Sequence, residues 1–198
     1  EHIVIDGRDV DIYTPDACDG PLPLLIDNGH SSDGSDIWRF YHCCYKEPFI
    51  LVNIHCHEWG DLLTPWPAPN TFGGGKYAGM ATLYVQWIES RLIPEVINHR
   101  SADISWFGLC GHSLAGLFSL YASTITDKFT HIGSSSGSIW YPDFINYMEA
   151  HGVSKSVTFL ELTVGEEELT SRMGAEHHVH ELHDRLDKIL TEEGVIHS

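Results

Sequence analysis

Apolar residues along this chain fall into two spacings. Short runs rich in β-branched and aromatic residues occupy Val10–Tyr13, Leu22–Asp27, Phe49–His55, Ile104–Leu109 and Val157–Val164. The later runs are apolar without alternation, the pattern of strands buried on both faces. Between them lie stretches with a repeat of three and four. Met80, Leu83, Tyr84, Trp87, Ile88 and Leu92 mark one face of a helix over Tyr77–Asn98. Leu114–Ile125 and Met173–Leu190 predict two more helices. Pro142–Ala150 predicts a shorter one, with Pro142 suited to a first helical turn. Strands alternating with helices predict βαβ units and a mainly parallel sheet with helices on both faces. The opening two strands, joined through Asp6-Gly7, predict an antiparallel N-terminal hairpin at the sheet edge.

The stretch from Leu63 to Gly75 breaks this pattern. Its Pro65, Pro67 and Pro69 and its closing Gly73-Gly74-Gly75 exclude a helix or a central strand. A loop this long in a compact domain is functional or disordered. Trp66 and Phe72 favour an ordered loop packed on something.

Composition narrows the function. A chain of 198 residues suits a single domain with a real core. Asp plus Glu outnumber Lys plus Arg by 28 to 11, for a formal charge of −17. A phosphate backbone would be repelled, so no nucleic-acid partner is expected. Anionic membrane surfaces are disfavoured likewise, and no apolar run is long enough to span a bilayer. The five Cys, at 18, 43, 44, 56 and 110, have no framework spacing. They suit a reduced, cytoplasmic setting. Nothing in the sequence specifies whether the chain forms a homo-oligomer.

The chemistry centres on Gly111-His112-Ser113-Leu114-Ala115-Gly116. A strand enters it and a helix follows at once, the setting of a nucleophile elbow. Such a turn lifts a serine Oγ above the sheet edge. The residues two before and two after must be small because the backbones crowd there, and Gly111 and Ala115 meet that need. The N–H of Leu114, at the helix start, is the natural first oxyanion donor. A formally better match to G-x-S-x-G is Gly133-Ser134-Ser135-Ser136-Gly137, but Ile139-Trp140-Tyr141-Pro142 separates Ser135 from any helix. Context therefore favours Ser113 as nucleophile. A serine alcohol needs a base, and the base an orienting acid. On this fold the acid follows a later strand. Glu166, Glu167 and Glu168 directly follow the strand over Val157–Val164 and are the candidates, against the plainer reading of three solvated glutamates opening a helix.

Arg8-Asp-Val-Asp-Ile-Tyr-Thr-Pro15, Leu25-Ile-Asp-Asn-Gly-His30, Leu63-Thr-Pro-Trp-Pro-Ala-Pro69, the elbow with its helix, and Ser134-Ser-Ser-Gly-Ser-Ile-Trp-Tyr141 together carry a resemblance. Over most of its length the chain resembles the esterase D-like, enterochelin-esterase-like branch of the α/β-hydrolases. The resemblance implies an α/β-hydrolase fold and a serine hydrolase of small carboxylic esters or thioesters, without cofactor or metal. It implies Ser113 as nucleophile and Glu168 as the acid of a Gly-x-x-Glu pattern. A second oxyanion N–H is implied at Gly29 or His30, where relatives usually read Asp-Gly-Gln and this chain reads Asn28-Gly29-His30. Trp140 and Trp66 match positions bordering the acyl or alcohol pocket, or else fill the core. Relatives continue into a last strand and a loop bearing the catalytic His. Val195-Ile196-His197 matches only the opening of that strand, so the expectation is a C-terminally incomplete domain over 1–198 with its base beyond the chain end.

Fourteen His leave metal readings to weigh. His177, His178, His180 and His183 share a helix with Glu176 and Glu181, but their spacing matches no metalloprotease motif. His55 and His57, two apart at a strand end, point the same way. No metal is assigned to either set. Cys110, just before the elbow, is expected to be buried and inert. The alternative to an esterase is a non-catalytic α/β-hydrolase scaffold that binds a ligand or partner.

Overall fold

The first strands form the expected hairpin. β1 (His2–Ile5) and β2 (Arg8–Tyr13) run antiparallel, with His2 opposite Asp11 and Ile5 opposite Arg8. Asp6 and Gly7 have φ of 50° and 82°, the two positive values a tight type I′ turn needs. The structure is a computed structural model and describes residues 1–16, 20–29, 34–45, 47–70, 73–100, 103–166 and 178–197.

Five further strands complete the main sheet: β3 (Leu22–Gly29), β4 (Ile50–His55), β7 (Ile104–His112), β8 (His131–Ser135) and β9 (Phe159–Thr163). β5 (Ala68–Pro69) and β6 (Lys76–Tyr77) pair separately as a small ribbon. The seven-stranded order is β1-β2-β4-β3-β7-β8-β9. β2 joins β4 antiparallel, and every pairing from β4 to β9 is parallel. Beyond β9, His197 makes a single parallel bridge to Leu160, and the Leu160 N–H bonds Ile196 O at 3.0 Å. The segment read as the opening of a further strand does run alongside β9. The central strands are buried because helices cover both faces. Leu24, Ile26, Val52, Ile54 and Leu109 have no solvent exposure.

On one face lies α1 (Ser35–Cys44), whose Trp38 stacks on Tyr13 and tilts against Phe49. Nothing in the apolar spacing announced this helix. Its aromatic residues favour strands by intrinsic preference, and packing overrides it. On the other face lie α3 (Ala81–Trp87), α4 (Ile93–Arg100) and α5 (Leu114–Ile125). Thr82 and Tyr121 share a hydroxyl hydrogen bond of 2.8 Å between α3 and α5. A short α2 (Trp59–Leu62) precedes them, and α6 (Phe144–His151) packs on α7 (Val179–Glu193) through Arg185, Glu149 and Asn146.

Leu114–Ile125 is helical over the predicted range. The helix expected from Tyr77 begins instead at Ala81, because Tyr77 pairs with Ala68 in the ribbon. A π-helical turn over Ile88–Leu92 separates α3 from α4. Pro94 accounts for it: proline brings no N–H and clashes with the carbonyl one turn back, so the helix widens there. Strand β8 also escaped the apolar pattern, since His131 and Ile132 are its only residues of strand-forming size. The Leu63–Gly75 stretch is pinned where described. Thr64 Oγ1 donates to Gly60 O at 2.8 Å and accepts from Gly79 N at 3.2 Å. Trp66 packs on Tyr121, Tyr141 and Tyr147, while Phe72 lies outside the described residues. Among the described residues no helix is long and apolar enough to cross a membrane.

Candidate active site

The strand order reverses direction at β3: β4 lies on one side of it and β7 on the other. In open parallel sheets the crevice at such a switch point, outside the carboxyl ends of the strands, is where ligands bind. Gly29 ends β3 there and Ser113 follows β7 there.

Ser113 has φ 59° and ψ −120°, a conformation that costs a non-glycine residue of order 1–3 kcal/mol and persists only when its surroundings impose it. They do so through three backbone bonds. Its N–H donates to Ser135 O at 3.0 Å, and its carbonyl accepts from Leu117 N and Ser138 N, each at 3.0 Å. Close packing fixes the rest. A Cβ on Gly111 would stand 2.4 Å from Ala115 Cβ and 2.7 Å from its carbonyl carbon, and one on Gly116 would stand 2.7 Å from Ser134 Oγ. The small residues around the elbow are therefore a steric requirement of the strand-to-helix reversal.

Ser113 opens onto a cleft of about 290 Å³ lined by Trp59, Gly60, Asn70, Tyr77, Leu114, Ser138 and Trp140. Its hydroxyl lies 3.3 Å from Ser138 Oγ. Ser138 lies within the Ser134–Tyr141 motif, whose spacing alone gives it no role. Leu114 is the first residue of α5, so its N–H has no intrahelical acceptor. Trp140 borders the cleft. Trp66 stands beside it rather than in its lining, with Nε1 donating to Pro142 O at 3.0 Å. Ser135 ends β8 and reaches α6 only through an irregular stretch, in which Ser136 has φ 45°.

At the neighbouring strand end, Gly29 lies opposite His55, and a Cβ there would meet Asn53 Oδ1 at 2.6 Å. Cys56 N–H donates to Gly29 O at 2.9 Å. Behind it Tyr84 OH donates to Asn28 Oδ1 at 2.7 Å, wholly buried, while Asn28 Nδ2 has no partner among the described residues. Burial pushes the Tyr84 hydroxyl well above its ordinary value and Cys56 to about 12. His30 lies outside the described residues.

The loop after β9 runs off the same sheet edge, since Thr163 is level with Ser135 and Ser135 with His112. Glu166 is exposed there. Glu167, Glu168, Glu176 and His177 lie outside the described residues. Farther on, His178 pairs with Glu181 at 3.4 Å and His180 with Asp184 at 3.1 Å along α7. His197 Nε2 meets Asp187 Oδ1 at 3.0 Å. Cys110 is buried, its thiol raised far above the usual range by burial, and its Sγ donates to Asp27 Oδ1 at 3.6 Å. A second cleft, under Tyr41, Trp106, His131 and Phe159, does not include Ser113.

No family model matches this chain. The uncharacterized protein YbbA of Bacillus subtilis (strain 168) is 26% identical over 149 residues, 73% of this chain and 60% of YbbA. The chain thus spans about three-fifths of that relative's length. Among solved structures, siderophore hydrolase EstB from Aspergillus nidulans is 18% identical with a TM-score of 0.72, over 100% of this chain and 85% of EstB. An IroE-like serine hydrolase from Shewanella oneidensis is 19% identical with a TM-score of 0.75, over 96% of this chain and 67% of its own. The enterobactin esterase FES from Shigella flexneri, solved in the presence of 2,3-di-hydroxy-N-benzoyl-serine, aligns over 100% of this chain and 52% of its own at 18% identity and a TM-score of 0.64. At these identities the likeness is one of fold, and the fold is that of the α/β-hydrolases.

Proposed function

We propose that this protein is a serine hydrolase of small carboxylic esters or thioesters, with Ser113 as its nucleophile. The observation that carries the reading is the conformation of Ser113: a serine forced to positive φ between a strand and a helix, at the sheet's switch point and facing a cleft. Strain of this kind clusters at reactive residues. The shared fold with siderophore hydrolases and an IroE-like serine hydrolase supports the same reading.

In the proposed reaction Ser113 Oγ attacks the acyl carbonyl and its proton passes to a base. The Leu114 N–H and a donor in the turn at Gly29 and His30 take the developing negative charge. The alcohol or thiol leaves with the proton, and water then cleaves the acyl-serine. A single oxyanion donor contributes on the order of 10²–10³ in kcat. Glu168 is proposed to orient a histidine base. Loss of the base is expected to remove most of the rate, as the loss of any one triad member does. Free thiols at Cys43, Cys56 and Cys110 suit the proposed cytoplasmic setting. The scaffold reading is favoured by one observation: among the described residues Ser113 Oγ meets Ser138 and no histidine.

A fluorophosphonate probe separates the two. Mass spectrometry of the labelled protein is expected to find the adduct on Ser113. Ser113→Ala should abolish both label and turnover of short p-nitrophenyl esters, while Ser135→Ala keeps them. Turnover retained in Ser113→Ala refutes the assignment, and no label at all favours the scaffold. Because EstB is a siderophore hydrolase and FES was solved in the presence of 2,3-di-hydroxy-N-benzoyl-serine, esters of that compound belong in the substrate panel.

A further inference from the structure

The far edge of the sheet gathers a second set of reactive side chains, unrelated to Ser113. His2 on β1, Asp11 on β2 and His55 at the end of β4 come from three separate segments. His2 is paired directly with Asp11, and the pairing of Val10 with Ile54 sets Asp9 opposite His55. Alternation along a strand then turns Asp9, Asp11, His2 and His55 to the same face. His2 Nδ1 lies 2.9 Å from Asp11 Oδ1, and His55 Nε2 lies 2.7 Å from Asp11 Oδ2. The three donor atoms all fall within 4.8 Å of one another.

The geometry points to a zinc site formed by His2 Nδ1, Asp11 carboxylate and His55 Nε2, with water in the fourth position. Two imidazoles and one carboxylate are a donor set zinc accepts at bond lengths of about 2.0–2.2 Å, which sets tetrahedral ligand atoms roughly 3.3 Å apart. The nitrogen–oxygen pairs would open by about half an ångström when an ion replaces the shared protons. His2 is half-exposed and free to make that adjustment, whereas Asp11 and His55 are held in place by burial.

A second observation is consistent with the set. Zinc-binding imidazoles characteristically present their other ring nitrogen to a carboxylate, which fixes the ring and raises its basicity. His2 Nε2 does this, 3.2 Å from Asp9 Oδ1. His57 Nε2 approaches the same carboxylate at 3.9 Å. His2 and His55 share the one Asp11 carboxylate, whereas His178 and His180 pair with separate carboxylates, Glu181 and Asp184. The ion would also bring two positive charges to a patch holding Asp9 and Asp11.

The site spans three segments of the chain. It ties the N-terminal hairpin to the end of β4, where His55 stands opposite Gly29 and Cys56 bonds the Gly29 carbonyl. Its ligands are far apart in sequence and form no linear motif, so periodicity and spacing gave no access to it.

Titration of the chelator-treated protein with zinc chloride is expected to give one tight site per chain and a higher melting temperature. Cobalt chloride should give the visible absorption of a tetrahedral centre. Asp9→Asn, beyond the ligands, should weaken zinc about 10–100-fold, and His2→Gln and His55→Gln should remove the cobalt band. His2→Gln alters an edge-strand side chain, so an unchanged melting temperature without metal verifies its fold. His180→Gln should leave binding intact. The absence of a stoichiometric site overturns the proposal, as does a cobalt band that survives both His2→Gln and His55→Gln. None of these readouts depends on ester hydrolysis, so the two proposals fail separately.

Discussion

Asp27 is a carboxyl group placed in the middle of the sheet, 7% exposed, with the Cys110 thiol as its hydrogen-bond donor. Burial raises its pKa to about 6. In the unfolded chain the value is about 3.9. The folded protein therefore keeps a proton that the unfolded chain releases, and the group's contribution to stability falls as pH rises. The contribution is complete below about pH 4, declines through about pH 6 and levels off above it. Two pKa units at about 1.4 kcal/mol each give a penalty of about 3 kcal/mol at pH 8, and about 1.5 kcal/mol at pH 5. Asp27→Asn keeps an oxygen for the Cys110 thiol and removes the ionisation. Whatever constant cost its amide brings, the variant should gain about 1.5 kcal/mol on the wild type between about pH 5 and pH 8. For a chain of this length that is a relative rise in melting temperature of roughly 3–6 °C. Scanning calorimetry of both proteins across that range tests it. A difference between the two that stays flat with pH would show that Asp27 ionises freely when folded and would refute the reasoning.

Gly111→Ala puts a methyl against Ala115 at 2.4 Å, so the elbow must shift. The expected cost is about 1–3 kcal/mol of stability, read by urea denaturation, together with a marked loss of fluorophosphonate labelling at Ser113. Normal labelling with unchanged stability would contradict the steric account. Tyr84→Phe strips Asn28 Oδ1 of this hydrogen bond, leaving both ends of a buried amide without a partner among the described residues. Differential scanning fluorimetry should show a loss of about 1–3 kcal/mol, with the cleft emptied of no lining residue.

The parts of this molecule that were legible in the sequence are those fixed by neighbours in the chain. Asp6-Gly7 announces its turn because two positive φ values are needed within two residues. The elbow announces itself because Gly111, Ala115 and Gly116 must clear one another over six positions, and α5 follows at the predicted residues. Where long-range packing decides, the pattern falls silent. The aromatic residues of α1 become helical only because Tyr13, Phe49 and Cys110 offer them a surface. β8 holds mostly small residues, and it is a strand because β7 and β9 flank it. Trp66 and Trp140 look alike as loop tryptophans, yet one fills an aromatic cluster and the other borders the cleft. The switch point follows the same logic. Nothing along the chain says that β7 lies beside β3 on the side away from β4, yet that single topological fact sets the Gly29 turn beside Ser113. The far edge extends the argument, since His2, Asp11 and His55 meet only after β2 has paired with both β1 and β4. Local chemistry makes the serine recognisable, and strand order decides which other residues stand within its reach.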